Sequence, residues 1–142
     1  MKYTDGYISS KLSEIGKTGL TAAPIEGVWM ALPYQDININ QQQCALIIKD
    51  VVFIVVVDRK SGEVKIVDDE MNISLVNSTL EQFCQCTIRW AKLSDAAEDI
   101  SDKERKMIAS ELKKDLRILD KNAFAQENQL WPVAVEEFGY GI

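Results

Sequence analysis

The chain has 142 residues, with 16 Lys plus Arg against 22 Asp plus Glu, no histidine, and a net charge of −6 at pH 7. That length fits one domain with a sizeable core, and the acidic balance argues against general nucleic-acid binding, which needs a basic footprint. Without histidine there is no Ser-His or Cys-His nucleophile and no usual zinc-hydrolase ligand set.

Residues 1–24 read as a loosely attached start. Ile8, Leu12 and Ile15 share one helical face, Gly16 is placed to end that helix, and Gly19 to Pro24 reads as a linker. MKYTDGYISSK lacks the apolar core of a signal peptide, and no apolar run approaches the roughly 20 residues of a membrane span. Residues 25–76 are mainly strands. Val28 to Leu32, with Trp29, is expected to be a strand stopped by Pro33. Gln35 to Gln43 is polar, with Ile37 and Ile39 alternating inside it, and reads as a loop or a weak edge segment.

Cys44 to Val57, CALIIKDVVFIVVV, is the most apolar stretch. Lys49-Asp50 marks a tight turn between two strands or a bend in one. Val51 to Val57, apolar on both faces, is expected to be a central strand covered above and below. Asp58 to Gly62 is a hairpin loop, with Gly62 suited to a left-handed position. Glu63 to Val67 is the next strand, and Asp68-Asp69-Glu70 connects it to Met71–Val76. There Met71, Ile73 and Leu75 alternate with Asn72 and Ser74 as the buried face.

Residues 78–138 are mainly helices. Ser78-Thr79-Leu80-Glu81 has the spacing of a capping box, with Ser78 as cap and Glu81 reaching back. Leu80, Phe83, Cys84, Thr87, Ile88 and Ala91 then share one face. Ser94 to Ile100 reads as an acidic loop, and Ser101-Asp102-Lys103-Glu104 as a second capping box. Ile108, Leu112, Leu116 and Leu119 form the next buried stripe. Pro132 falls in the first turn of a last helix with Trp131, Val135 and Phe138 on its apolar face, ended by Gly139. The order predicts a single α+β domain: a central, mostly antiparallel sheet with N- and C-terminal helices packed against it.

The candidate chemistry is sparse. Asp58, Asp68, Asp69 and Glu70 could hold Mg²⁺ or Ca²⁺ through oxygen ligands, but successive connections of a meander lie at opposite ends of a sheet, and solvated acidic turns are the better account. Cys84 and Cys86, two apart on a helix, point to different sides and neither chelate one metal nor bridge. With Cys44 they read as reduced thiols of a cytosolic protein. Trp29, Trp90 and Trp131 read as core. No dinucleotide fingerprint or P-loop is present. The residues therefore predict no catalytic site, no cofactor and no metal.

Three places together resemble the SUKH superfamily of bacterial immunity proteins, related to yeast cell-wall-synthesis regulators. The first is Ser61-Gly62-Glu63-Val64, similar to the family's turn into a strand with a Gly-x-Val core. The second, Val76-Asn77-Ser78-Thr79-Leu80-Glu81-Gln82-Phe83, resembles its Asn-Ser-Ser opening of a helix carrying a Phe, most closely in branch four. The third is Asp120-Lys121-Asn122-Ala123 with Leu130-Trp131-Pro132 and Glu136-Glu137-Phe138-Gly139, similar to that branch's closing pattern. Ala31-Leu32-Pro33 is a weaker echo. The resemblance covers roughly residues 44–142 well and the first 43 poorly.

The resemblance implies a non-enzymatic, cytoplasmic protein that neutralises a cognate polymorphic toxin by binding it. Such toxins are often nucleases or nucleic-acid deaminases with basic active faces. An acidic protein fits that role. Exposure and charge nominate Asp68, Asp69, Glu70, Asp95, Glu98, Asp99, Glu136 and Glu137 as contacts to a toxin's basic face, with no direct nucleic-acid or membrane partner. The plain alternative is that these carboxylates only keep the protein soluble. A regulatory adaptor, and a small enzyme using Asp, Glu, Tyr or Lys, are the other two classes the sequence leaves open.

Overall fold

Alternation along the apolar middle of the chain places two separate clusters on the two faces of one sheet. In a computed structural model, which describes residues 2–18, 24–97 and 99–141, α1 (Asp5–Gly16) precedes strands β1 (Val28–Trp29), β2 (Asp36–Ile39), β3 (Gln42–Lys49), β4 (Phe53–Asp58), β5 (Val64–Asp68) and β6 (Ile73–Asn77). The helices α2 (Leu80–Ala96) and α3 (Asp102–Leu119), a 3-10 helix (Lys121–Phe124) and α4 (Leu130–Tyr140) follow. The six-stranded sheet runs β1-β3-β4-β5-β6, with β2 also on β3, and every pairing is antiparallel. This is the α+β architecture predicted from the order of patterns.

Ala45, Ile47, Val55, Val57, Val64 and Val76 belong to the large core shared with Ile8, Leu80, Phe83, Leu112, Leu116 and Trp131 of the helices. The intervening residues Cys44, Leu46, Val56 and Val67 join Ile39 in a second cluster to which no helix contributes. A register shift between Leu46 and Ile48 keeps both Ile47 and Ile48 on the helix side. The helices therefore cover one face, and the other face is left to the sheet itself.

Several expectations shift. Of the two readings of Gln35–Gln43 the edge segment holds: Asp36–Ile39 pairs with β3 alone, through a two-residue turn in which Asn40 and Gln41 both have positive φ, the geometry of the favoured hairpin turns. The apolar stretch does break into two strands, but at Asp50–Val52, so the central strand begins at Phe53 and not at Val51. In β6 the buried residues are Val76 and Asn77, while Met71 and Ile73 are exposed. Burial in β6 rises along the strand instead of alternating, and its pairing with β5 is irregular at the Asn77 end. Trp29, expected in the core, is 38 % exposed at the short edge strand β1.

The N-terminal helix is docked, not loose. Tyr3 and Ile8 are buried, and the backbone N–H of Tyr3 donates to Arg59 O at 2.8 Å. The Tyr3 ring lies over Gly62, whose φ is +83° and where an added Cβ would sit 2.3 Å from the ring. That close approach, as much as the backbone angle, requires glycine there. The buried Arg59 guanidinium spans Asp5 and Asp36, each at 2.7 Å, and reaches Tyr3 O at 3.2 Å. One cation thus ties the N-terminal segment, β2 and the β4–β5 turn together. Residues 19–23, the rest of the expected linker, lie outside the described residues.

The joint between sheet and helices departs most from expectation. The cap of α2 is Thr79, which accepts from Gln82 N, and not Ser78. The box slips by one residue because Ser78 is taken by another partner. Asp120, at the end of α3, accepts from Ser78 N at 2.7 Å, Ser78 Oγ at 2.8 Å and Asn77 Nδ2 at 3.0 Å. Asn77 Oδ1 in turn accepts from the buried Trp131 Nε1 at 2.8 Å. Asn77, Asp120 and Trp131 are all buried, so this network fixes β6, α3 and α4 to one another where unpaired polar groups would be costly. Ser101 does cap α3, accepting from Glu104 N. α4 runs one residue past Gly139 and ends at Gly141, φ +76°.

Candidate partner-binding surface

Two turns meet at one end of the sheet. In the β3–β4 turn, Asp50 N donates to Phe53 O at 2.9 Å, leaving Val51 and Val52 at the tip. In the β5–β6 turn, the Asp68 carboxylate accepts from Glu70 N, Asn72 N and Asn72 Nδ2 at 2.8 to 3.0 Å. This is the local side-chain-to-backbone bonding that makes Asp a turn residue. The same bonds, led by that from the Asn72 side chain, hold the Asp68 carboxyl below its ordinary value. Met71 takes φ +64° to close the turn. Asp69 N donates to Val52 O at 3.0 Å and joins the two turns.

The result is an acidic rim around apolar side chains. Val51 is 95 % exposed, Met71 65 % and Val52 53 %. Asp69 and Glu70 are exposed beside them, and Asp50 is half-buried. A groove of about 310 Å³ opens here between the turns and β2, lined by Ile37, Ile39, Val51, Val52, Met71 and Asp69 among others. It gives onto the helix-free cluster. Its one cation is Lys49. Isolated exposed apolar residues are ordinary; three on two adjoining turns, inside a carboxylate rim and over an apolar groove, make a patch of the kind that proteins use for contact.

The nominated carboxylates do not share this surface. Asp68, Asp69 and Glu70 are at the sheet end, but Asp68 is committed to its turn. Asp95 lies in the last turn of α2 and Asp99 in the α2–α3 connection, both exposed. Glu98 is outside the described residues. Glu136 borders a groove of about 690 Å³ between α3 and α4, with Lys106, Lys113 and Glu127. Glu137 is on another flank of α4, against Ser74 and Asn128. Asp58 sits at the opposite end of the sheet, where its carboxylate accepts from Lys60 N and Ser61 N. Val51, Val52 and Met71 were missed because a β-branched run and a clean alternation both read as burial. The Lys49-Asp50 break was the signal that could have exposed them.

A cluster of perturbed groups lies elsewhere, between α1 and α2. Glu81, freed from capping, accepts from the hydroxyls of Tyr3 at 2.9 Å and of Tyr7. Burial opposes ionisation of Glu81, but these bonds outweigh it and lower its pKa. Tyr3 is pushed up to about 12, by burial first and then by Glu81. Tyr7 is pushed up to about 12, chiefly by its bond to Glu81. This cluster staples α1 to α2 and lines neither groove. Cys84 and Cys86 are buried, and burial lifts both thiols to about 12, the opposite of an activated nucleophile. No group of His, Cys, Asp and Glu among the described residues is arranged to hold a metal ion, and no helix among them is long and apolar enough to cross a membrane.

These features define a small α+β domain whose shifted groups serve packing and which leaves an apolar patch open at one end of its sheet. The sequence model of the SUKH-4 immunity protein family matches residues 49–137, more than half of the chain, and the chain belongs to that family. The matched span runs from the end of β3 into α4 and contains Gly62, Asn77, Ser78, Asp120 and Trp131. α1, β1 and β2 lie outside it. No curated protein and no solved structure matches the chain.

Proposed function

We propose that the protein neutralises a cognate toxin by stoichiometric, non-catalytic binding in the cytoplasm, with the acidic end of its sheet as the contact. The observation that carries this is the exposure of Val51, Val52 and Met71 within the rim of Asp50, Asp69 and Glu70. The apolar centre supplies affinity on desolvation, and the carboxylates supply steering and orientation toward a basic face. A nuclease or nucleic-acid deaminase domain has such a face, because it must approach phosphates. Membership of an immunity protein family supports the same reading. On this account Asp95, Asp99, Glu136 and Glu137 stand outside the contact and serve solubility.

Co-expression with the product of the adjacent gene, followed by pull-down and a growth assay, tests it. The expected result is a one-to-one complex and rescued growth, with association slowing as salt rises. Charge reversal belongs at Asp69 and Glu70; reversal of Asp68 would dismantle the turn itself. A folded protein that neither binds nor protects would leave a regulatory adaptor as the better account.

A further inference from the structure

The outer face of α3 is the electrostatic opposite of the sheet end. Lys103, Lys106, Lys113 and Arg117 are exposed along it, at successive spacings of three, seven and four that gather them on one side of the helix, and exposed Lys114 adjoins them. Met107, 62 % exposed, and Ile118, 84 % exposed, lie in the same row. Ser110, Lys113, Lys114, Arg117 and Ile118 line a shallow hollow of about 470 Å³. Among the described residues the ion pair on this row is Lys114 with Glu111 at 3.7 Å, between two exposed side chains, and such a pair is weak. So an acidic protein carries one basic, partly apolar stripe.

We infer that this stripe is the docking site for the acidic sheet end of a second copy of the same chain. The two surfaces match in kind: an apolar tip with a carboxylate rim, and an apolar hollow with an ammonium and guanidinium rim. They also lie on opposite sides of the molecule. α3 packs on α2, α4 and the 3-10 helix, whereas the groove at Val51 and Met71 opens to the helix-free face. A contact between unlike, opposed patches is head-to-tail and does not close into a two-fold dimer. At physiological salt the screening length is about 8 Å, so the local match outweighs the repulsion of two distant net charges. A nucleic acid is disfavoured as the occupant, because the row carries no aromatic side chain for stacking and Glu111 sits within it. Since the same sheet end is the proposed toxin contact, a bound toxin would displace the second copy. Only this displacement depends on the proposed toxin contact.

Sedimentation equilibrium of the full chain, without any toxin, tests the inference. The mass-average should climb with concentration past the dimer, and the association constant should fall about ten-fold as salt is raised from about 0.05 to about 0.5 M. Asp69→Lys with Glu70→Lys, and separately Lys113→Glu with Arg117→Glu, should each give a monomer with unchanged circular dichroism. Mixing the two variants should restore association, because each then presents the charge the other lacks. A wild type that stays monomeric at low salt, or a mixture that fails to associate, would overturn the inference. So would a plateau at dimer. Loss of binding to duplex DNA or to anionic vesicles in the α3 variant, with a monomeric wild type, would reassign the stripe to that partner.

Discussion

Asp120 is the sharpest place to test the joint between sheet and helices. Its carboxylate is buried and accepts three hydrogen bonds, two at Oδ2 and one at Oδ1. Asp120→Ala removes all three. It leaves Ser78 N without its partner and Asn77 Nδ2 with only the 3.6 Å contact to Cys86 Sγ. Bonds to a carboxylate contribute about 1.5–3 kcal/mol each but are not additive, so the expected cost is about 3–5 kcal/mol. That is a large share of the roughly 5–15 kcal/mol of an ordinary domain. Asp120→Asn should cost less, about 1–2 kcal/mol, because its oxygen still serves Asn77 and Ser78 N while its amide donates to Ser78 Oγ. Ser78→Ala removes one of the three bonds and should cost about 1–2 kcal/mol. Urea unfolding gives the order directly from midpoints at constant slope. If Asp120→Ala unfolded at the same midpoint as Ser78→Ala, Asp120 would not be the hub of the network.

Three further outcomes follow. Phe83, fully buried under the sheet, should cost about 3–5 kcal/mol on replacement by alanine, read by the same unfolding curves. Glu81 has a lowered pKa, so its contribution is present above its unfolded value near pH 4.5 and is lost as pH falls. Tyr3 and Tyr7, raised to about 12, contribute below about pH 10 and lose that contribution as pH rises toward 12. Glu81→Gln should therefore flatten the melting temperature against pH at both ends, and an unchanged profile would remove the staple from the account. Cys44, Cys84 and Cys86 are buried, so a thiol reagent at pH 8 should label none of them in the native protein and all of them in urea. Rapid native labelling would contradict the packing of β3, if at Cys44, or of α2, if at Cys84 or Cys86.

The sequence carried most of the elements because their signals were local. The Ser101 cap, the α3 stripe at Leu112 and Leu116, and Pro132 in the first turn of α4 each depend on residues within one or two helical turns, and each stands. What it did not carry depended on partners distant in the chain. Ser78 had the right chemistry for a cap, and only the approach of Asp120, 42 residues on, takes it away. Glu81 looked like the other half of that box, and its true partners are Tyr3 and Tyr7. The resemblance had already gathered Asn77, Ser78, Asp120 and Trp131 as motifs without a reason; one buried network is the reason. The candidate site was half legible. Charge pointed to Asp68–Glu70, but the exposed Val51, Val52 and Met71 were hidden by patterns that ordinarily mean burial.

The central claim, that an apolar acidic sheet end binds the toxin, is tested most directly by the affinity of the purified toxin domain for Val51→Asp. Val51 is almost wholly exposed, so the change leaves the fold intact and adds acid rather than removing it. Loss of a valine buried on binding is worth about 1.5–3 kcal/mol, so titration calorimetry should show affinity weakened by about ten- to a hundred-fold. Glu136→Lys, on α4, should bind as wild type does. Equal affinity for wild type and Val51→Asp, or a loss confined to Glu136→Lys, would place the contact elsewhere and contradict the account.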